Sequence, residues 1–241
     1  MIYRVSAAML TTKFTLKLIS AKLLAVLLMF RSQGVRESMR FLSYRLNEDF
    51  HERRLGIETA RFISGKDLGH QNPEYGAYTP APYKALQYCL DQISIRPGED
   101  TLLDYGCGMG RVIILAGTRP FRRVIGVELS PAMAEKAREN IDRSRRRLKC
   151  AVEIEVVDAR AYSVPDDVTF IHLYNPFNGE TLAKVVGNIR ESLRRRPREL
   201  TILFGNPRRF EEMFGDRDWL EKKDFRWFYQ NTGYGIYTFR P

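Results

Sequence analysis

The chain of 241 residues has 39 lysines and arginines against 29 aspartates and glutamates, which gives a net charge of +10, and 44% of its residues are hydrophobic. This hydrophobic content excludes an intrinsically disordered chain, and the length suits one domain of ordinary size with an extension. The three cysteines are scattered and form no Cys-x-x-Cys pair. The sequence therefore predicts neither a disulfide framework nor a metal site, and it favours the reducing cytoplasm.

The first forty residues are apolar and basic. The apolar run over residues 23–30 is far shorter than the roughly 20 residues that a membrane-spanning helix requires. Lys13, Lys17 and Arg31 share one helical face, whereas Lys22 lies opposite them, so the amphipathic pattern is imperfect. Two interpretations stay open. The segment is either a helix lying on the inner surface of a membrane, or a helix packed on the domain or against a second copy in a homodimer.

A charged stretch over residues 37–70 is predicted to be a helical connector, and it contains two candidate catalytic bases, His51 and His70. Isolated histidines in a connector are more often surface or packing residues. Residues 72–82 contain prolines and a glycine that exclude a long helix, so they predict a loop before a helix over residues 83–93. The chain is thus divided into a helical extension, residues 1–70, and a second domain, residues 71–241.

Residues 101–117 predict a buried strand, a glycine turn and the start of a helix. Asp104 lies near the end of the strand, and Gly106, Gly108 and Gly110 follow, where the backbone must turn tightly and approach something closely. The N-terminus of the next helix offers free N–H groups to a polar or anionic ligand. The dinucleotide fingerprint would place its last glycine at position 111, which is Arg111, so the spacing argues against a dinucleotide.

This Asp-x-Gly-x-Gly-x-Gly pattern resembles motif I of the class I S-adenosylmethionine-dependent methyltransferases. The resemblance covers about residues 75–241 and implies an α/β, Rossmann-like fold. That fold is a doubly wound, mostly parallel seven-stranded sheet with a C-terminal antiparallel hairpin. The resemblance also implies S-adenosyl-L-methionine as cofactor, with Asp104 ordering the loop around its methionine moiety. Residues 50–59 resemble a segment that precedes the methyltransferase domain in bacterial methyltransferases of poorly defined substrate.

Two further strands end in acids, as the first does. The strand over residues 123–128 ends at Glu128, whose carboxylate can accept hydrogen bonds from both hydroxyls of a ribose. The strand over residues 151–157 is followed by Asp158. The resemblance implies that Asp158 accepts a hydrogen bond from the adenine amino group and that the backbone N–H of Ala159 meets the ring. One cofactor site at the carboxyl edge of the sheet is therefore predicted.

The loop before motif I supplies a further predicted contact. Its Tyr-x-x-Tyr-Thr-Pro pattern is similar to the lid over the cofactor in the non-SET histone lysine methyltransferases. That similarity implies that Tyr78 and Thr79 touch the methionine end of the cofactor. Thr79 is equally a candidate N-cap for the helix that follows, and the two roles are compatible.

The fourth predicted strand, residues 168–174, runs into Asn175-Pro176-Phe177, at the edge where ligands gather in open α/β sheets. This resembles the Asn/Asp-Pro-Pro-Phe/Tyr motif of amino-methylating enzymes, in which the amide and the first proline carbonyl hold an amine and the aromatic ring packs on the substrate. This chain has one proline, with Phe177 at the second position, so a planar exocyclic amine is not specified. Asn175 cannot act as a base. The nearby candidate proton acceptors are Tyr78, Tyr105 and Tyr174.

The remainder predicts a helix over residues 180–196, a strand over 200–204, and an antiparallel hairpin from residues 225–230 and 234–239. The predicted reaction is methyl transfer to a nitrogen or oxygen of a protein side chain or small molecule. Alternatives are a glycan or lipid-linked acceptor at a membrane, and a non-catalytic cofactor-binding protein. The positive charge is compatible with nucleic acid, but no aromatic–basic recognition motif is present, so nucleic acid is not favoured as acceptor.

Overall fold

The computed structural model describes residues 3–69, 72–206, 219–228 and 232–241, with only the backbone for residues 3–27 and 29. The chain divides into two compact units, Met1–Asn47 and Glu48–Pro241. The candidate base His70 and residues 229–231 of the predicted hairpin turn lie outside the described residues.

Five α-helices lie in the described residues. They are α1 (Tyr3–Leu55), α2 (Tyr83–Gln92), α3 (Arg111–Gly117), α4 (Pro131–Ser144) and α5 (Gly179–Arg195). Among these residues no helix is long and apolar enough to cross a membrane.

Seven strands form one sheet within the described part of the chain. They are β1 (Thr101–Tyr105), β2 (Arg123–Glu128), β3 (Ala151–Val156), β4 (Val168–Tyr174), β5 (Leu200–Gly205), β6 (Glu221–Trp227) and β7 (Gly233–Phe239). The order is β3-β2-β1-β4-β5-β7-β6. Strands β1 to β5 run parallel to one another, whereas β7 runs antiparallel to both β5 and β6. The predicted fold class is confirmed.

The order of the sheet reverses between β1 and β4, and this switch point fixes where a ligand can bind. Strands β1 and β4 are buried over nearly their whole length, as the apolar runs predict for a parallel sheet covered on both faces. Leu102 of β1 packs with α2 and α3 on one face, whereas Leu103 packs with α5 on the other. The carboxyl ends of β1 and β4 therefore open into a crevice between two helical layers.

The predicted helical connector is only partly correct. Helix α1 has a kink at Gly34 (φ 79°, ψ 162°) and ends at Leu55, so residues 56–69 are not helical. The reason lies at Gly56, which takes a left-handed conformation (φ 75°) and donates its N–H to the carbonyl of Glu52 at 2.8 Å. A glycine in this conformation is a common helix terminator.

The cap of α2 corrects one prediction. Thr79 does not cap α2, because Pro82 occupies the N-cap position and the Glu48 carboxylate accepts from the N–H of Tyr83 at 2.9 Å. Ser130 caps α4 by accepting from the N–H of Met133, and a proline follows it. Helix α4 ends at Ser144, and a single 3-10 turn follows over Arg145–Arg147.

Candidate active site

A cleft of about 880 Å³ lies at the carboxyl ends of the first four strands. All but one of the predicted site residues line it: Tyr78, Thr79, Asp104, Gly106, Gly108, Glu128, Asp158, Ala159, Asn175, Pro176 and Phe177. The exception is Gly110, which caps α3 in a left-handed conformation (φ 87°) and packs against Ala137. The structure thus brings together residues that are up to 99 positions apart in the sequence (177 − 78).

The glycine loop is shaped by close approach from two other segments. Gly106 has a φ of 72°, and a Cβ atom there would lie 2.6 Å from the Cβ of Pro176. Gly108 has a φ of 55°, and its Cβ would lie 2.7 Å from Cδ2 of Tyr78. Because both contacts are closer than atoms tolerate, the missing side chains let Pro176 and Tyr78 pack directly onto the loop.

Replacing Gly106 by alanine should lower the free energy of unfolding by about 1–3 kcal/mol, because alanine is strained at this positive φ and meets Pro176. Gly187 is the matched control. It lies in helix α5, nothing lies within 4 Å of an added Cβ, and alanine there should stabilise by up to about 1 kcal/mol. Urea unfolding of both variants measures the two effects. Equal stabilities for Gly106→Ala and the unmodified chain would contradict the proposed packing.

Glu128 anchors the glycine loop at the end of β2. Its Oε2 accepts from the N–H of Gly108 at 2.8 Å, and its Oε1 accepts from the N–H of Ser130 at 2.9 Å. The side chain is 8% exposed and lines the cleft. One carboxylate therefore ties the loop after β1 to the start of α4, at the place where ribose hydroxyls are predicted to bind.

Asp158 lies after β3 and is engaged by a neighbour that the sequence analysis did not consider. Arg160 donates to its carboxylate through Nε and Nη2, the latter at 2.6 Å, and the Tyr75 hydroxyl donates at 3.3 Å. The hydrogen bonds from Arg160 hold the pKa of Asp158 below its ordinary value. The carboxylate is therefore ionised at neutral pH and remains an acceptor at the predicted adenine position.

Asp104 is buried at the centre of the cleft floor. Its Oδ1 lies 2.7 Å from Nδ1 of His172, and its Oδ2 is a buried atom with no hydrogen-bond partner among the described residues. Burial raises the pKa of Asp104, while the neighbouring His172 opposes that rise. His172 also lines the cleft. His172 was not predicted as a site residue, because a histidine inside an apolar strand is usually a core residue.

The loop over the cleft is fastened at several points. Glu74 accepts from the N–H groups of Glu180 and Thr181, at 2.8 and 2.9 Å, and so caps the N-terminus of α5. The N–H of Gly76 approaches the carbonyl of Pro176 at 3.5 Å, and Tyr75 forms an isolated antiparallel bridge with Phe177. This loop is therefore attached to the Asn175-Pro176-Phe177 segment.

The three candidate proton acceptors are all poor bases. The hydroxyl of Tyr78 donates to the carbonyl of Thr59 at 2.9 Å, so it does not face a substrate. Burial raises the pKa values of Tyr78, Tyr105 and Tyr174 above the ordinary value. A phenol with a raised pKa stays protonated at neutral pH and cannot take up a proton. The other candidate, His51, is 5% exposed, stacks on the ring of Tyr83 and is absent from the cleft lining.

Asn175 lies between the main cleft and a second cavity. Its φ is 47°, an uncommon conformation for a residue other than glycine, and its side chain is exposed. The second cavity has a volume of about 800 Å³. Its lining residues are Glu74, Gly76, Ala77, Thr79, Tyr174, Asn175, Phe177, Asn178 and Asn206. The two cavities share Asn175 and are therefore adjacent. Phe177 is 6% exposed and packs edge-on against Tyr105.

Asn206 is a further residue that the sequence analysis did not select. It follows β5, has a φ of 61°, and is adjacent to Asn175 because Tyr174 and Gly205 are register partners. The sequence contains a signal for it, since Asn-Pro occurs after both β4 and β5. Two asparagines with positive φ therefore stand side by side at the second cavity, where backbone strain of this kind commonly marks a functional position.

A buried ion-pair network supports the cleft from the side of helix α3. The guanidinium of Arg111 pairs with Glu48 and lies 3.2 Å from Glu52. It also donates to the hydroxyl of Thr59 at 2.7 Å and to the carbonyl of Ala81 at 2.9 Å. Arg111 is 2% exposed. The network joins the end of α1, residues 56–59 and the loop before α2 to the helix that follows the glycine turn.

Part of the chain is similar in sequence to known proteins. Residues 102–196 match a family model described as a methyltransferase domain. Over 98 residues the chain is 31% identical to a ribosomal protein L11 methyltransferase of Burkholderia cenocepacia strain HI2424. That match covers 37% of this chain and 32% of the relative, so the chain matches only about a third of the length of this curated protein.

Two solved structures have the same fold. One is an RNA methyltransferase from Salinibacter ruber in complex with S-adenosyl-L-homocysteine, with a TM-score of 0.50 and 20% identity, covering 67% of this chain and 94% of that chain. The other is a protein of the NADB-Rossmann superfamily from Streptococcus agalactiae, with a TM-score of 0.51 and 13% identity, covering 68% of this chain and 69% of the other. At these identities the likeness is one of fold alone.

Proposed function

Because the chain belongs to the class I S-adenosylmethionine-dependent methyltransferases, we propose that it transfers the methyl group of S-adenosyl-L-methionine to a nitrogen or oxygen atom of a protein side chain or a small molecule. The observation that carries this proposal is the cleft itself. It gathers three strand-end acids, a glycine turn and Asn175 within one space. The cofactor, when bound, supplies an electrophilic sulfonium methyl group.

In this proposal Glu128 and Asp158 hold the ribose and the adenine, and the glycine loop leaves room for the methionine portion. Asn175 and the second cavity would then lie beside the methyl group, and the acceptor would enter from that side. The Asn175 amide and the Pro176 carbonyl position the acceptor by hydrogen bonding. Alignment and desolvation of two reactants supply most of the acceleration in such a displacement. Since the buried tyrosines stay protonated, the proton of the acceptor leaves to solvent or to another group.

A protein acceptor is supported by the name of the curated relatives, which are ribosomal protein L11 methyltransferases. Among the described residues that line the second cavity, the one charged residue is Glu74, whose pKa is lowered chiefly by its hydrogen bond with Thr181. A negative charge beside the entrance favours an acceptor that carries a positive charge before it loses its proton.

Incubation of the protein with S-adenosyl-L-methionine labelled in the methyl group, in a lysate of the source organism, tests the proposal. We expect label in protein or small molecules. Asn175→Ala should reduce the labelling rate by about 10- to 100-fold, because a positioning hydrogen bond is lost. Glu191→Ala is the control, since Glu191 lies on α5 with an exposed side chain in an i,i+3 pair with Arg194 and lines neither cavity. Absence of any label above a no-protein control would contradict the proposed activity.

A second candidate acceptor, a glycan or lipid-linked molecule at a membrane surface, is supported by the side chains of α1. Val35, Met39 and Leu46 are 67%, 56% and 69% exposed and lie within about 40° of one another around the helix. Exposed arginines flank this apolar stripe on both sides: Arg36, Arg40 and Arg45. An apolar stripe between arginines is typical of a helix that lies on an anionic membrane.

This candidate predicts that the full chain floats with vesicles made of phosphatidylglycerol and phosphatidylethanolamine. Replacing both Met39 and Leu46 by glutamate should abolish flotation, because the stripe would lose its apolar character and gain negative charge. The matched control replaces Asp49 and Glu37 by glutamine, which leaves the stripe intact. Equal flotation of the Met39 and Leu46 variant and the unmodified chain, or no flotation of either, would exclude a membrane-surface acceptor brought near through α1.

A further inference from the structure

We propose that His172 is a positioning residue of the cofactor site, which holds the Asp104 carboxylate so that its second oxygen receives the amino group at the methionine end of the cofactor. The inference rests on the proposed function, because the ligand is the cofactor that function requires. It adds a specific role for two buried residues, His172 and Tyr234, that the sequence did not single out.

The geometry is a hydrogen-bonded chain across the sheet. His172 on β4 is the register partner of Asp104 on β1. Nδ1 of His172 lies 2.7 Å from Oδ1 of Asp104, and Nε2 lies 3.1 Å from the hydroxyl of Tyr234 on β7. The three residues are 1–2% exposed. This series of hydrogen bonds therefore runs from β7 to the floor of the cleft without contact with bulk water.

The direction of the hydrogen bonds follows from the groups involved. Burial raises the pKa of Tyr234 far above its ordinary value, so its hydroxyl keeps its proton and is available to donate to Nε2 of His172 at 3.1 Å. A neutral imidazole that accepts at Nε2 carries its proton on Nδ1 and donates there. Asp104 is then an acceptor at Oδ1, and its rotation is fixed by the histidine. Every donor in the chain points toward the cleft.

The other oxygen of Asp104 indicates the role of this series of hydrogen bonds. Oδ2 is buried, and no described residue donates to it, although Asp104 lines the cleft. A buried carboxylate oxygen without a donor is costly, so it fits a site whose donor arrives with a ligand. The ribose and adenine donors of the cofactor are proposed to lie at Glu128 and Asp158. The remaining donor is the amino group of the methionine moiety, whose positive charge also compensates the buried carboxylate.

The position of Tyr234 is itself built into the sheet. Its ring stacks on Tyr174 at 5.7 Å with an interplanar angle of 9°. Both rings lie over Gly205 of the intervening strand β5, where a Cβ atom would lie 2.9 Å from Cζ of Tyr234. The absence of a side chain at Gly205 allows the hydroxyl of Tyr234 to reach His172 across β5.

Calorimetric titration of the full chain with two ligands tests the inference. S-adenosyl-L-homocysteine carries the amino group, whereas 5′-methylthioadenosine has the same nucleoside without it. His172→Phe should reduce affinity for S-adenosyl-L-homocysteine by about 10- to 100-fold and leave affinity for 5′-methylthioadenosine within about threefold. Tyr234→Phe should cause a smaller selective loss of about 3- to 10-fold, because the ring remains.

A conservative variant provides the rescue. His172→Asn places an amide nitrogen near the position of Nδ1, so affinity for S-adenosyl-L-homocysteine should stay within about fivefold of the unmodified chain. An equal loss for both ligands, or no loss for either, in His172→Phe would overturn the positioning role. Should His172→Phe not fold, the same comparison on Tyr234→Phe decides. Failure of the unmodified chain to bind either ligand would instead overturn the proposed function.

Discussion

Replacing Arg111 by leucine should lower the free energy of unfolding by about 3–5 kcal/mol, the cost of leaving buried charges without their partner. Arg111 is 2% exposed, and Glu48 is equally buried. Removal of the guanidinium leaves Glu48 and Glu52 close together without a compensating cation, and the hydroxyl of Thr59 and the carbonyl of Ala81 lose their donor. Guanidinium chloride unfolding, followed by circular dichroism, measures the effect.

Arg119→Leu is the matched control. Arg119 also pairs with an acid, Asp91, at 2.5 Å, but its side chain is 36% exposed and that of Asp91 is 56% exposed. Ion pairs in solvent contribute about 0–1 kcal/mol, so this variant should stay within about 1 kcal/mol of the unmodified chain. Adding Glu48→Gln to Arg111→Leu should recover part of the loss, because one unpaired charge disappears. Similar stabilities for the Arg111 and Arg119 variants would show that the network does not hold the cleft together.

Replacing Glu128 by alanine should reduce affinity for S-adenosyl-L-homocysteine by at least about 100-fold. The carboxylate accepts from the N–H groups of Gly108 and Ser130, so its loss releases the glycine loop as well as the proposed ribose contacts. A hydrogen bond to a charged group contributes about 1.5–3 kcal/mol, and two such bonds account for a change of this size.

Glu135→Ala is the control for that measurement. Glu135 lies on α4, the helix that follows Glu128, and its exposed side chain forms an i,i+3 pair with Arg138. It should leave affinity unchanged. Thermal unfolding of both variants without ligand separates loss of binding from loss of folding. An unchanged dissociation constant for Glu128→Ala would remove Glu128 from the cofactor site.

The strand-end acids could be predicted because their signal is local. Asp104, Glu128 and Asp158 each lie at or just after the end of a short apolar strand, and parallel strands bring their carboxyl ends to one edge. The same reasoning placed Asn175 at the edge. The fold class followed from the resemblance that motif I and the strand-end acids carry, and the sheet order confirms it.

The supporting residues could not be predicted because their signal is not local. In the sequence, Arg111 was noted only because it occupies the position of the last glycine of a dinucleotide fingerprint. Its partner Glu48 lies 63 residues earlier (111 − 48). His172 looked like part of an apolar strand, and only the register of β1 and β4 places it beside Asp104. The helix prediction beyond Leu55 was wrong for a related reason, since the chain turns at Gly56.

The measurement that tests the central claim most directly is calorimetric titration of the unmodified chain with S-adenosyl-L-homocysteine and, separately, with NAD. A cleft that holds S-adenosyl-L-methionine should bind S-adenosyl-L-homocysteine, the product of methyl transfer, with one site per chain and show no saturable binding of NAD. Saturable binding of NAD without binding of S-adenosyl-L-homocysteine would contradict the assignment of this cleft to methyl transfer.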